Sequence, residues 1–502
     1  MALRKQVLTG TGWVALGEGI GYVASFARNM ILARLLSKAD FGMAAVFAMV
    51  MSLLEFTAKL SVGRFLIRDP EGDDPVFVNT GHTLQALAAG VSAVLIVLAS
   101  PVLAAWFGVA DHSWAIMVLG GVVLVRGLQH LDTQRFQRHL RFGPAAAVEA
   151  IPQVIVTLAA WPVARWLGDY RAVLVLLAAK GLFSLLLSHV LAERRYRWGW
   201  HPEYGRRMLQ FGWPLLLTGF LMFGIMQGDQ FLVASFYDLA ELAPYAAAVS
   251  LVMAPQMLYG RIFNSVALPL VSRVQDDLPA FRRRYRQVLG IMILYASVST
   301  AGFIVGAEAL MRVVYGSKYA GAGPLMAWVS VVAAYRCLRM AVAVANIAKG
   351  DSQSQLIANG WRAISLVPAF FVAWSGQPLW MIAACGLIGE ILATLVCVWR
   401  LERRDATPMG LTLRPAAGIS LLSCAAGVVA HWTLQAPVWA GLLAAVICAC
   451  LAGAAAVALT PELRSEVIVL WQGFRQQGPA GAVRQWLGVS LQATPQACQS
   501  DR

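Results

Sequence analysis

VAAYRCLRMAVAVANIAKG, residues 332–350, reads as an apolar helix with two arginines, Arg336 and Arg339, set into its first half. A guanidinium at the centre of a spanning helix opposes membrane insertion by about 2.5–3.5 kcal/mol, and two roughly double that. Stability is no reason to put them there. Positions 336, 339, 343, 346 and 350 advance by alternate threes and fours, which brings Arg336, Arg339, Asn346 and Gly350 onto one helix face. A narrow polar stripe on an apolar rod suits a helix lining a hydrated cavity, where guanidinium forks match phosphate oxygens. The competing reading has both arginines reach the membrane interface or pair with Glu390.

Working outward, the chain has 502 residues, 59% hydrophobic and only 13% charged, against about 25% charged in a soluble domain. Apolar stretches of about 20 residues recur along the whole length, whereas a membrane β-barrel shows alternating segments of about 10. The expected fold is an all-α polytopic membrane protein with about 14 transmembrane helices. These fall near 10–33, 42–66, 78–107, 113–133, 144–166, 171–192 and 209–236, then 241–271, 287–311, 324–348, 356–375, 378–400, 412–433 and 437–459. Pro152, Pro162, Pro214, Pro255 and Pro368 lie within them as kink candidates.

Lys and Arg concentrate in cytoplasmic loops of such proteins. Of the 40 here, with those at span ends counted on the nearer side, 26 fall on the side of the N-terminus, 6 on the other side and 8 well within spans. An even helix number with both termini in the cytoplasm satisfies this, and the net charge of +14 then needs no nucleic acid. Six of the seven cysteines sit in apolar runs, with no CxxC or Cys/His cluster, so neither disulfides nor zinc nor another cofactor is expected. The first apolar stretch lacks a cleavage site and reads as a retained helix.

The chain also resembles itself. TGWVALG (11–17) aligns with FGWPLLL (211–217), Asn29 with Asp229, LVRGLQ (124–129) with AYRCLR (334–339), and AERR (192–195) with LERR (401–404). One half reads as a drifted copy of the other in the same orientation, related by an axis along the membrane normal. The expected domains are two pseudo-symmetric six-helix lobes, 1–203 and 204–404, two extra C-terminal helices in 405–460, and a cytoplasmic amphipathic tail, 461–502.

Well inside the spans, away from their ends, lie eight basic residues, Arg28, Lys59, Arg126, Lys180, Arg261, Arg336, Arg339 and Arg362, against the acids Glu18, Glu55, Glu149, Asp229 and Glu390. Ionisable groups at such depth face a bundle interior or a wet cavity. The expected anion site is Arg336 and Arg339, helped by Arg28, Lys59, Arg126 and Arg362. Glu55 and Lys59 are spaced as a helical ion pair, acid first. Glu18, Tyr22, Ser25 and Asn29 share a face of the first helix. Asp229, flanked by Gln227 and Gln230, is the candidate proton- or sodium-responsive carboxylate, with Glu18 and Asn29 beside it in the ion-coupling set; the rival reading is a fixed salt bridge. No GxxxxGK[ST], HExxH or GxSxG motif occurs, so a transporter is expected rather than an enzyme.

LARLLSKADFG (32–42) resembles the hallmark segment of bacterial polysaccharide transporters. MLQFGWPLLLTG with the following GDQFLVASFYDLAELAPYAAAVSL resembles the start of that family's second half, and EALMRVVYGSKYAGAGPLM (308–326) its loop before helix 10. The resemblance covers roughly residues 5–400 and departs at SFYDLAEL, where the second copy lacks the Arg and Lys of the first. It implies a Wzx-like flippase of the multidrug/oligosaccharidyl-lipid/polysaccharide superfamily, carrying undecaprenyl-diphosphate-linked oligosaccharide across the bacterial inner membrane by alternating access through a cationic cavity. A proton or sodium gradient and association with polysaccharide polymerase and glycosyltransferases belong to the same implication. A lipid II flippase or a cation-coupled exporter are the alternatives within the superfamily, the latter disfavoured because buried cations repel cationic drugs. A membrane glycosyltransferase or O-antigen ligase is the alternative outside it.

Overall fold

The computed structural model describes residues 2–57, 62–405, 407–434, 436–460, 464 and 475. Those residues form helices and no strand. In chain order they are α1 (Ala2–Leu35), α2 (Lys38–Thr57), α3 (Val62–Arg68), α4 (Pro75–Trp106), α5 (Ser113–Gly127), α6 (Asp132–Arg138), α7 (Gly143–Leu167), α8 (Arg171–Val190) and α9 (Pro202–Phe236). Then come α10 (Leu239–Ser272), α11 (Leu278–Val305), α12 (Ala307–Tyr315), α13 (Gly323–Ala348), α14 (Gln353–Ala363), α15 (Leu366–Trp374), α16 (Leu379–Asp405), α17 (Gly410–Thr433) and α18 (Val438–Leu459).

Each of the fourteen expected stretches falls, over its described residues, on one helix or on two consecutive helices. Among the described residues, however, eleven helices are long and apolar enough to cross a membrane, or twelve with the bent pair α5–α6. The expected count of fourteen also includes α1 and α2, which are not among these twelve. The amphipathic tail expected in 461–502 lies outside the described residues but for 464 and 475.

The breaks have local causes. Pro368 has no N–H to give the carbonyl four residues back, and the helix parts just there, between Ala363 and Leu366. Pro152, Pro162, Pro214 and Pro255 are carried inside continuous helices. Between α5 and α6 the axis turns by 49°, and side chains take up the freed backbone groups. Gln85 donates to the carbonyls of Gly127 (2.9 Å) and Gln129 (3.2 Å), while His82 Nε2 accepts from Leu131 N–H at 3.1 Å and Ser188 Oγ from His130 N–H at 3.0 Å. Irregular backbone at membrane depth is tolerated only when satisfied in this way.

Packing follows two groups. In the first, α7 lies against α1 and α8, and α5 against α4 and α8; in the second, α13 lies against α10, α11 and α16, with α14 and α15 on α16 and α17 and α18 on α11. Contacts of α1 with α10 and α12, and of α2 with α9 and α10, join the groups. The most enclosed span is α13, 78% buried, whereas α9 is 17% buried. The helix carrying the two arginines is therefore the centre of the second group.

Candidate anion-binding site

Three guanidinium groups converge on one carboxylate. Arg336 Nε donates to Glu390 Oε1, Arg339 Nε to Oε2 and Arg362 Nε to Oε1, each at 2.9 Å. The arginines come from α13 and α14, the glutamate from α16. Arg339, Arg362 and Glu390 are buried, while the Arg336 side chain keeps 18% of its surface open.

Local chemistry explains how α14 reaches the glutamate. At Gly389 an added Cβ would stand 2.7 Å from the Arg362 carbonyl oxygen and 2.8 Å from Ser365 Oγ, so only glycine lets the end of α14 come this close. Ser365 Oγ then donates to that carbonyl at 2.7 Å where the helix is broken, and Asn359 Oδ1 receives a second bond from Arg362 at 3.3 Å. On α13, Arg336 Nη1 points to Met253 Sδ of α10 at 3.1 Å.

Three positive charges against one negative leave a formal surplus of two inside the helical bundle. Taking a charge out of water costs several kcal/mol unless it is paired, and Glu390 pairs these only in part. A phosphate or diphosphate presents oxygens suited to the guanidinium N–H groups that Glu390 leaves over. Asp229 of α9 is a further acid linked electrostatically to the cluster. It accepts from the Tyr245 hydroxyl at 2.9 Å and from Gln230 N–H at 2.8 Å, and it feels the charge of Arg336.

The other expected site residues separate from this cluster. Arg126 pairs with Glu55, and Lys180 with Glu149 at 3.0 Å, both within the first group. Arg126, expected among the anion ligands, is held by Glu55 here and stands apart from the Glu390 cluster. Arg28 donates to Asn29 Oδ1 at 3.3 Å and meets no carboxylate among the described residues. Lys59, and with it the expected Glu55–Lys59 pair, lies outside the described residues, as does the side chain of Glu18. Tyr22, on the polar face of α1, receives a hydrogen bond from Arg261 of α10 at 2.8 Å, with the guanidinium 5.3 Å from its ring centre.

On the 332–350 stripe, Asn346 donates to the Cys397 carbonyl of α16 at 3.1 Å, and both arginines hold Glu390. The competing reading, pairing with Glu390, is what the structure shows, in a three-to-one form. Two cavities lie elsewhere. An apolar one of about 770 Å³ is lined by Leu294 and Val298 of α11 and Val446 and Gly453 of α18; a second of about 320 Å³ is lined by Phe65, Arg68, Asp69 and Arg207.

The fold and the cluster define a class: a multi-pass helical membrane protein with a net-cationic centre. The chain matches the family described as "Polysaccharide biosynthesis protein" over residues 31–324, more than half its length, and it belongs to that family. It is 21% identical over 407 residues to the lipopolysaccharide biosynthesis protein WzxC of Escherichia coli K12, covering 79% of this chain and 80% of that one. It is 18% identical over 365 residues to the teichuronic acid biosynthesis protein TuaB of Bacillus subtilis, covering 70% and 72%. Among solved structures, the lipid II flippase MurJ in an inward closed conformation superposes with a TM-score of 0.69 at 13% identity, over 89% of this chain and 98% of that one. An inward-facing multidrug resistance MATE transporter gives 0.60 at 14% identity, over 80% and 96%. The resemblance carried by LARLLSKADFG therefore holds at the level of the family, and the two superpositions show that the chain shares their fold.

Proposed function

We propose that the protein moves an undecaprenyl-diphosphate-linked oligosaccharide across the bacterial inner membrane, with both termini in the cytoplasm. The observation that carries this reading is the Arg336/Arg339/Arg362 cluster on Glu390, a surplus of cations that a diphosphate would satisfy. Arg336, the partly open member, takes the headgroup first; Arg339 and Arg362 hold Glu390 and set the positive field, and Arg28 adds a further cation from α1. The sugars travel between the helix groups and the polyprenyl tail stays in the bilayer. The names of WzxC, TuaB and MurJ support a cargo of this kind.

Asp229 supplies the coupling in this account. A proton or sodium ion arriving there removes an attraction on Arg336 and frees that side chain for the headgroup, and its release restores the link. Rocking of the two helix groups about their interface then exposes the cargo to either side.

The test is reconstitution into vesicles with a fluorescent lipid-linked glycan, scoring which leaflet holds it. Wild-type protein moves the glycan, Arg336→Gln does so at least tenfold more slowly at equal incorporation, and lipid II supplied in its place stays put. Undiminished transfer by Arg336→Gln removes the cluster from the mechanism. Transfer of lipid II alone reassigns the cargo.

A further inference from the structure

At the end of the bundle that holds the α1–α2 turn, two helix C-termini from different groups face one another. The last carbonyls of a helix have no partner within it and carry its negative dipole end, where a cation is favourable. Arg34, in the last turn of α1, extends to the end of α12, giving Nε to the Val314 carbonyl at 2.8 Å and Nη2 to that of Val313. Lys318, just beyond α12 in the short turn Ser317–Tyr319, extends the other way. Its ammonium donates to the carbonyl of Arg34 at 3.2 Å and to that of Leu36.

Each helix end is thus capped by the other's cation. The surroundings fit a closed contact. Phe26 packs edge-on to Tyr315 at 6.5 Å and Phe41 to Tyr319 at 6.3 Å, with both tyrosines fully buried. At Gly42 an added Cβ would stand 1.9 Å from the Leu239 carbonyl oxygen, so the start of α2 touches the start of α10 with no room for a side chain. Trp106 of α4 adds a bond to Ser235 of α9 at 2.8 Å.

The opposite end is joined differently. There Arg207 of α9 pairs with Asp69 and Glu71, and Tyr204 donates to Asp74 at 3.1 Å. These contacts run between side chains, and Arg207 at 31% and Glu71 at 47% exposure stay in reach of water. The Arg34/Lys318 contact involves carbonyls that have no other helix partner, so breaking it exposes two helix ends together.

We propose that Arg34 and Lys318 form a reciprocal helix-capping latch, which keeps this end of the bundle closed and must release before cargo leaves there. The idea that this end opens in turn rests on the alternating-access reading given above; the latch itself is a distance between two turns, measured without cargo. It also gives a use to LARLLSKADFG and YGSKY, which the anion cluster does not employ.

The experiment is pulsed electron paramagnetic resonance on the full chain in lipid nanodiscs, with native cysteines replaced and spin labels on Ala39→Cys and Ala320→Cys, both exposed beside the latch. Wild-type protein is expected to give a dominant short distance. Arg34→Gln and Lys318→Gln each raise the longer-distance population about two- to five-fold, the range for losing a cation at a helix C-terminus, and the double variant raises it further. Arg34→Lys and Lys318→Arg, which keep the charge, stay near wild type. If the double variant does not express, the single variants decide. An unchanged distribution in the Gln variants overturns the latch, as does an equal shift in the charge-retaining ones. A distance shift alongside normal vesicle transfer leaves the flippase reading intact, and lost transfer without a shift leaves it to stand or fall alone.

Discussion

Two clusters in this protein are mirror images in charge. Near the α6 turn of the first helix group, one arginine meets three carboxylates: Arg135 bonds Asp132 at 2.9 Å and Glu193 at 2.8 Å and lies 3.9 Å from Asp73. In the second group, one carboxylate meets three arginines. The acid-rich cluster is offset on the spot, since Arg138 and His139 also reach Asp73 and Arg141 reaches Glu193. The arginine-rich cluster sits inside the helical core with Asp229 as the further acid whose charge it feels. Charge is balanced locally at the α6 turn and left in surplus at the cluster on Glu390, where the proposed headgroup would bind.

Glu390→Gln should break this contrast most severely. It leaves three guanidinium groups in the core with no carboxylate, and removal of one partner from a buried ion cluster costs about 3–5 kcal/mol. Thermal unfolding of purified protein is expected to show a large loss, and an unchanged midpoint would mean that water already solvates the arginines. Arg135→Gln comes next. The mirror cluster loses its hub but keeps its other cations, so about 2 kcal/mol is expected, in the range for hydrogen bonds to charged groups; a loss as large as that of Glu390→Gln would erase the distinction between the clusters.

The smallest effect is one of pH. Hydrogen bonds from Arg141 and then Arg135 hold the Glu193 carboxyl below its ordinary range. A carboxylate lowered in the folded state contributes above its ordinary value and loses that contribution as pH falls through the folded one. Stability of the wild type should therefore drop more steeply than that of Glu193→Gln between about pH 5 and 3. Parallel curves would show that Glu193 is a spectator.

Much of the fold was legible because its causes are local. Apolar runs of spanning length marked the helices, and Pro368 marked the break between α14 and α15. The cluster was legible by half. A two-arginine stripe reveals its face through helical spacing, but nothing local says what that face meets. Arg362 and Glu390 join it only through the approach of α14 to α16 at Gly389, a contact between residues on separate helices. The glycine immediately before an in-span glutamate was the available clue. The same holds for Arg126: its depth was readable, whereas its partner Glu55 lies on another helix.

The central claim is that Arg336 is the open donor of a cluster whose surplus charge receives a diphosphate. Its most direct test is the affinity of purified protein in nanodiscs for undecaprenyl diphosphate, comparing wild type with Arg336→Gln. The account predicts affinity weakened about 10- to 100-fold, the equivalent of one lost charge-assisted contact, with the fold retained because Arg339 and Arg362 still hold Glu390. Equal affinity in a folded variant would contradict it.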